Sequence, residues 1–516
     1  GGLPSRGFFD SNANFLPRVG FAYTPSFGRN GTVLRGGYGE YIYPVPVRNS
    51  IRYLTASYPF TASYSMSYTS ATQSPDGLPN YLLRNPLTVV AGQNSSNVVD
   101  TNSVTALLPG IGTGTKLNPK YPPARVRTAN MTLEQPFNDG SALRISYVYT
   151  HGENLDQNYS FNDAPSTYVW MTTTGTALPT GRYASVATRP YDQTTWGGAT
   201  MSMKTGWSND SSLQVNYQRP FKNGYAHQLF WVYSRAFRVG GNTFRDNTLY
   251  PAELYAPGVL PSGMNTGTLL EPSRELNRYE NYRPENSIPT HRITYNGIVD
   301  LPVGKGKKFL GSSNRWLDAL VGGYQVAFTG TVVTQAFYVN AANWGPTNPI
   351  QRYKNSAPVT DCRSGVCRPA YLWFNGYIAP NVVNASNKGV TGVPSDYVPY
   401  ATPINNTPGT TNFGNNNVPV TLKNGTTVLT GYSPGPAGVN PYSMTMLEGP
   451  INFSTDLSLY KVFSFSERWK LRINVDAFNA FNIQGYVNPD ATTGIQSLQT
   501  SYWTPRQIQL TARLSF

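Results

Sequence analysis

Cysteine, histidine and charge are all scarce in this chain. Two cysteines in 516 residues exclude a disulfide-built scaffold and a multi-cysteine zinc protein. The three histidines, His151, His227 and His291, are spread too widely to form an all-histidine metal site, and no cofactor is expected. Charged residues make up 13% of the chain, about half the ~25% usual in soluble domains. No secretory leader pattern opens the chain, whose first residues, GGLPSRGFFDSNANF, read as the interior of a longer protein. One apolar window, residues 319–339, is long enough to cross a bilayer as a helix. Its Gly322, Gly323 and Gly330, together with many β-branched residues, point to a long strand instead.

What is plentiful is aromatic and turn-forming: Tyr 36, Phe 23, Trp 9, Gly 48 and Pro 41. That aromatic load is too high for a disordered chain. The last ten residues, QIQLTARLSF, alternate without a miss, with Ile508, Leu510, Ala512, Leu514 and Phe516 on one face. Residues 470–477 repeat the pattern, as do 129–134, 143–147, 213–217 and 292–297. Period two with one apolar face means half-exposed antiparallel strands.

The connections come in two very unequal lengths. Residues 25–32, 136–141, 220–225 and 464–469 are short and carry the Pro, Asn, Asp and Gly of tight turns, and a longer basic turn occupies 301–318. Between them lie irregular stretches at roughly 45–122, 152–198, 240–289 and 340–450. Long loops of that kind count against a compact soluble domain, whereas outer-membrane barrels have short periplasmic turns and long extracellular loops. One strand per crossing gives about eleven strands, near 18–24, 32–44, 123–136, 141–151, 199–220, 226–239, 291–302, 319–339, 453–464, 469–482 and 507–516. The first and last would both descend to the periplasm. An even total then needs further strands in front, and eleven suit the second half of a barrel of about 22. The expected fold is therefore all-β, an antiparallel transmembrane barrel of the outer membrane. A soluble sandwich or propeller is the rival, since alternation alone does not distinguish a lumen from bulk water. The terminal aromatic Phe516, and aromatics at strand ends such as Tyr41, Tyr43, Phe463, Phe465 and Trp469, favour the barrel.

Several strings carry a family resemblance. PRVGFAYTP followed by TVLRGGYGEYIY, then HRITYNGIVDLPVGKGKKF, VGGYQVAFTGTVVTQAFYV and YLWFNGYIAP, resemble the barrel of Oar-like TonB-dependent receptors. The closing DLSLYKVFSFSERWKLRINVDAFNAFN and PRQIQLTARLSF are similar to that family's C-terminal signature, which ends here on Phe516. The segment IQGYVNPD after Asn482 departs from an expected Asn-Phe-Gly-like turn. The resemblance covers residues 17–516 and implies an outer-membrane transporter, of which 1–516 would be the C-terminal part of the barrel, with the plug and N-terminal domain absent. It further implies a solute bound by outer loops and plug, an energy-coupling protein of the TonB type acting through the missing plug, and a C-terminal strand read by the barrel-assembly machinery. A cell-surface anchor for adhesion or assembly is the alternative, and a barrel hydrolase dependent on His151 a weaker one.

The candidate residues follow from strand phase and loop position. Glu134, Arg144, Asp456, Arg472, Asp476 and Arg513 share the polar phase, where they would line a solute path or simply pair within a polar interior. Cys362 and Cys367 sit in the longest loop, where an oxidising exterior favours a small disulfide ring over a metal site short of ligands. Trp344, Tyr371, Trp373, Phe374 and Tyr377 are loop aromatics that either contact a ligand or pack the loops together. The net charge of +14 suits anionic solutes or the phosphates of outer-membrane lipid and lipopolysaccharide. Basic residues scattered without a stripe exclude a nucleic-acid partner. The phosphate-loop-like GIGTGTK (110–116) and GKGKK (304–308) lack the Gly-Lys-Ser/Thr ending, and neither HExxH nor a nucleophile elbow occurs, so no enzyme is expected.

Overall fold

The computed structural model describes residues 14–26, 31–43, 114–117, 120–180, 187–193, 198–239, 248–339, 348–379, 388–402, 417–435 and 445–516. Eleven strands run in one antiparallel meander in which every strand bonds its neighbours in chain order. They are β1 (Arg18–Tyr23), β2 (Val33–Tyr43), β3 (Ala124–Pro136), β4 (Ala142–Ser160), β5 (Ala199–Lys222) and β6 (Tyr225–Val239). β7 (His291–Asp300), β8 (Tyr324–Tyr338), β9 (Met446–Ser464), β10 (Lys470–Phe478) and β11 (Gln507–Ser515) complete the run. Among the described residues β1 and β11 have a strand partner on one side only.

The ladder registers keep the apolar phase on one face across the whole sheet. Phe21, Gly36, Met131, Tyr147, Leu213 and Tyr233 stand side by side along one row. Val299, Val326, Leu459, Val475 and Leu510 form a second row further along. These side chains face outward, with Met131 52% and Leu510 76% exposed. A continuous apolar exterior of this size is the surface that a bilayer covers. On this face Gly36 lies under the ring of Phe21 and Gly330 under the ring of Tyr295, so close that a Cβ at either would collide with the ring. Glycine here lets an aromatic lie flat across the ladder and cover exposed backbone.

Short turns close one end of the meander. Asn223 and Gly224 both have positive φ, which matches the right-handed twist of the strands they join. In the turn before β4, Asp139 accepts hydrogen bonds from the Ser141 N–H and hydroxyl. The long basic turn differs from expectation. Residues 315–321 form helix Arg315–Val321, and β8 starts only at Tyr324, so the strand expected from residue 319 begins five residues late. Asn314 explains this: its side chain caps the helix by accepting from the Leu317 N–H at 2.8 Å.

The opposite end is far more elaborate than a set of irregular loops. β4, β5 and β9 reach 19, 24 and 19 residues, about twice the 9–11 that cross a bilayer. Their outer halves rise out of the membrane, and register shifts at Glu153/Leu155 in β4 and Thr334/Ala336 in β8 mark the departure. Above them a four-stranded sheet joins Val390–Thr391, Arg352–Asp361, Arg368–Phe374 and Ile495–Ser497, and Asn417–Thr421 pairs with Thr427–Gly431. Helices Thr167–Thr174 and Arg274–Asn281 complete this cap. The buried apolar clusters lie here, around Tyr159, Phe161 and Leu276, around Phe337, Phe374 and Tyr400, and around Val359, Leu372 and Ile495. Among the described residues no helix is long and apolar enough to cross a membrane.

If the apolar rows face hydrocarbon, Leu457→Arg should destabilise the folded protein in lipid vesicles by about 2–4 kcal/mol. Ser454→Arg, on the same strand but the opposite face, should change it by less than about 1 kcal/mol. Denaturant titration in vesicles measures both.

Candidate functional site

The polar face holds all six residues assigned to it by phase. On β3 and β4, Glu134 lies directly opposite Arg144. The Arg144 Nε meets its carboxylate at 2.7 Å, and Arg35 of β2 approaches it at 3.4 Å. On β9–β11, Asp476 accepts a hydrogen bond from the Ser458 hydroxyl, and Asp456 accepts one from the Asn479 N–H at 2.8 Å. Arg472 stacks on the Tyr460 ring, with 4.2 Å between guanidinium carbon and centroid, and stands opposite Arg513. The two sets lie at opposite ends of the meander with β5–β8 between them, so they do not form one cluster. Each is a local patch on a polar wall.

The cysteine pair is joined as a disulfide, Cys362–Cys367. It closes the tip of the hairpin made by Arg352–Asp361 and Arg368–Phe374. Arg363 at the same tip grips Asp361 with two hydrogen bonds, at 2.9 and 2.8 Å. Those bonds hold the Asp361 carboxyl below the usual carboxylate range. Of the loop aromatics, Trp344 lies outside the described residues. Phe374 is fully buried and packs against Phe337, with ring centroids 5.9 Å apart. Tyr377 is buried too. Trp373 is half-buried and donates from its indole N–H to Gln496 at 2.9 Å, while Tyr371 meets Tyr486 edge to face. The residues in this group that the structure describes therefore knit the loop sheet together, with Tyr371 and Trp373 retaining exposed surface.

Two features escaped sequence reasoning because their parts are distant along the chain. At the outer end of β4 and β5, a cavity of about 460 Å³ is lined by Glu153, Lys204, Trp207, Arg274 and Asn277, among others. Arg274 lies over the Trp207 ring at 4.5 Å, and Lys204 pairs with Asp156 at 2.8 Å. Two cations, a carboxylate and an indole at one opening can hold a polar or anionic group. Beside it, His151 bonds Asn209 at 2.8 Å and Glu153 at 3.1 Å, and Arg127 reaches the same Glu153 at 2.8 Å. Neither partner of His151 is a nucleophile, so this is a polar network rather than a Ser-His-Asp arrangement. The second feature is Glu280, buried in helix Arg274–Asn281 of the cap. Burial pushes its carboxyl up to about 8, against the opposing pull of the Tyr250 N–H, which donates to it at 3.0 Å.

Residues 110–113 lie outside the described residues, and Gly114–Leu117, expected as loop, is a short strand parallel to β5. GKGKK stays in the short-side turn. Among the described residues no group of three or more His, Cys, Asp or Glu could hold a metal ion.

A family model for the outer membrane beta barrel domain matches residues 1–509, and the chain belongs to that family. It is a protein of the outer membrane. Comparison with curated proteins finds no match. Similar solved structures include the outer membrane transporter YddB from Escherichia coli, at 11% identity and a TM-score of 0.42, covering 98% of this chain and 41% of that one. The ferripyoverdine receptor of Pseudomonas aeruginosa, bound to ferripyoverdine, is 9% identical with a TM-score of 0.35, covering 98% and 33%. The FrpB iron transporter from Neisseria meningitidis is 7% identical with a TM-score of 0.34, covering 98% and 39%. The chain thus spans well under half the length of these neighbours.

Two outcomes are expected from the cap. In the unfolded chain Glu280 ionises near its ordinary carboxylate pKa, whereas in the fold it stays protonated to about 8. The fold therefore holds the extra proton, and the cap loses stability as pH rises between those values. Hydrogen exchange at the amides of helix Arg274–Asn281 should speed up from pH 5 to pH 8 beyond the intrinsic chemical rate, and Glu280→Gln should remove the excess. Replacing both Cys362 and Cys367 by Ser should cost the hairpin about 2 kcal/mol, read as faster proteolysis between residues 352 and 374 with the membrane sheet unaffected.

Proposed function

We propose, from membership of the outer-membrane barrel family, that this chain is the C-terminal part of the barrel of a TonB-dependent transporter of the Oar-like type. The observation that carries the reading is the open meander with two one-sided edge strands. Eleven alternating strands leave β1 and β11 pointing the same way, so direct closure would be parallel. Antiparallel closure takes an odd number of further strands, and hydrocarbon tolerates no unpaired edge. Another eleven gives about 22, a size whose lumen holds a plug.

In this reading a solute first meets the cap, where Lys204, Trp207 and Arg274 offer an opening and Tyr371 and Trp373 a separate aromatic surface. It then passes along the polar wall marked by Glu134, Arg144, Asp456, Arg472, Asp476 and Arg513 once the plug yields. An energy-coupling protein acts on that plug from the periplasm, the barrel-assembly machinery reads β11 and Phe516, and lipopolysaccharide surrounds the outer rim. The chain's net charge of +14 favours an anionic cargo. A surface anchor for adhesion is the second reading, supported by the size of the cap.

Uptake by cells separates the two. Transport of the cargo should fall at least tenfold when a protonophore collapses the proton gradient, and Lys204→Glu with Arg274→Glu should weaken binding at the cell surface. Binding that proceeds to no gradient-dependent uptake would leave the anchor.

A further inference from the structure

The turn between β7 and β8 carries an apolar surface that the fold does not cover. Its helix, α1 (Arg315–Val321), is stitched to the outward face by Lys461 of β9. Lys461 shares a row with Tyr324 and Ile473 of the apolar phase. Its Nζ donates to the carbonyls of Asp318 and Ala319 at the end of α1, at 3.4 and 2.5 Å. The rings of Tyr324 and Phe463 lie 5.0 and 4.9 Å from the same nitrogen. A lysine at the edge of the hydrocarbon belt is thereby covered by helix carbonyls and aromatic rings, and the helix is held on the membrane side of the sheet rather than the polar side. On the helix's inner side, Asp318 accepts from the Lys305 N–H at 2.6 Å, which fixes the preceding basic loop against it.

The side of α1 turned away from these contacts is apolar. Trp316 is 85% exposed and Leu320 69%, with Leu317 beside them and Phe309 and Leu310 exposed in the loop before. Residues 316, 317 and 320 fall on one side of a helix. Lys305, Lys307, Lys308 and Arg315 lie in these segments, against Asp300 and Asp318, with Lys307 4.0 Å from Asp300. The same short-turn end carries an aromatic rim, where Phe465, Trp469 and Phe516 are exposed and Trp469 stacks on Phe516 at 5.3 Å. Short turns face the periplasm in barrels of this class. An apolar helix face edged with cations, lying at the boundary of a lipid belt, has the character of an interfacial helix.

We propose that α1 and its lysine-rich loop are a foot set into the inner leaflet of the outer membrane. Trp316, Leu317 and Leu320 enter the headgroup–acyl boundary, and the cations meet phospholipid phosphates. The occupant is lipid because Lys461 holds α1 on the hydrocarbon-facing side of the sheet and because the patch's charge complements anionic headgroups. The foot rests on the membrane face of the sheet and not on the transport reading, so either can fail alone.

The chain's two cysteines are joined to each other, so Leu320→Cys and Lys307→Cys each add a unique thiol for a nitroxide. With the complete protein in phosphatidylethanolamine–phosphatidylglycerol vesicles, the label at 320 should collide severalfold more with oxygen than with a water-soluble nickel chelate, and the label at 307 the reverse. Independently, the wild type should lose more tryptophan fluorescence than Trp316→Phe when the lipids are brominated near the headgroup. Nickel-dominated collisions at 320, equal quenching in the two proteins, or shielding of 320 that appears only when a periplasmic protein is added would each overturn the proposal.

Discussion

The rule that governs this structure is that hydrocarbon offers no hydrogen bonds. Backbone groups must bond one another, and the side chains that face lipid must be apolar. The antiparallel meander meets the first demand strand by strand, and its registers meet the second by keeping the apolar phase on one face from Val19 to Phe516. A slip of one residue between any two strands would turn a polar row outward. That intolerance makes the alternation in KLRINVDA and QIQLTARLSF so strict.

A second consequence is an inversion of the usual core. In the membrane part the large apolar side chains lie on the outside and the lipid does the packing. Enclosed apolar clusters appear in the cap, where Tyr159, Phe374, Leu372 and Val359 are shut away from solvent. There the protein behaves as an ordinary water-exposed body, with a disulfide-closed hairpin, capped helices and a carboxyl, Glu280, kept neutral by burial. The long outer halves of β4, β5 and β9 join the two regimes, and beyond the register shift in β8 Phe337, still paired with Leu447, belongs to a cap cluster.

The polar groups divide the same way. On the wall they satisfy each other locally, as Arg35, Glu134 and Arg144 do. At the outer end of β4 and β5 they converge from several elements around the Lys204–Trp207–Arg274 cavity.

Much of the fold was legible because period two is a local property: each spanning strand writes its two environments into adjacent residues, and all eleven were placed to within a few residues, save the start of β8 and the outer extensions of β4 and β9. The common face of Glu134, Arg144, Asp456, Arg472, Asp476 and Arg513 was readable for the same reason. What only the tertiary structure decided lies where contacts are distant in sequence. A four-stranded sheet took its edge strand from residues 495–497, and Phe374 and Tyr377 became packing residues. Lys204, Trp207 and Arg274 met from separate elements. Alternation records which medium a side chain faces. It carries no record of which distant residue will be its neighbour.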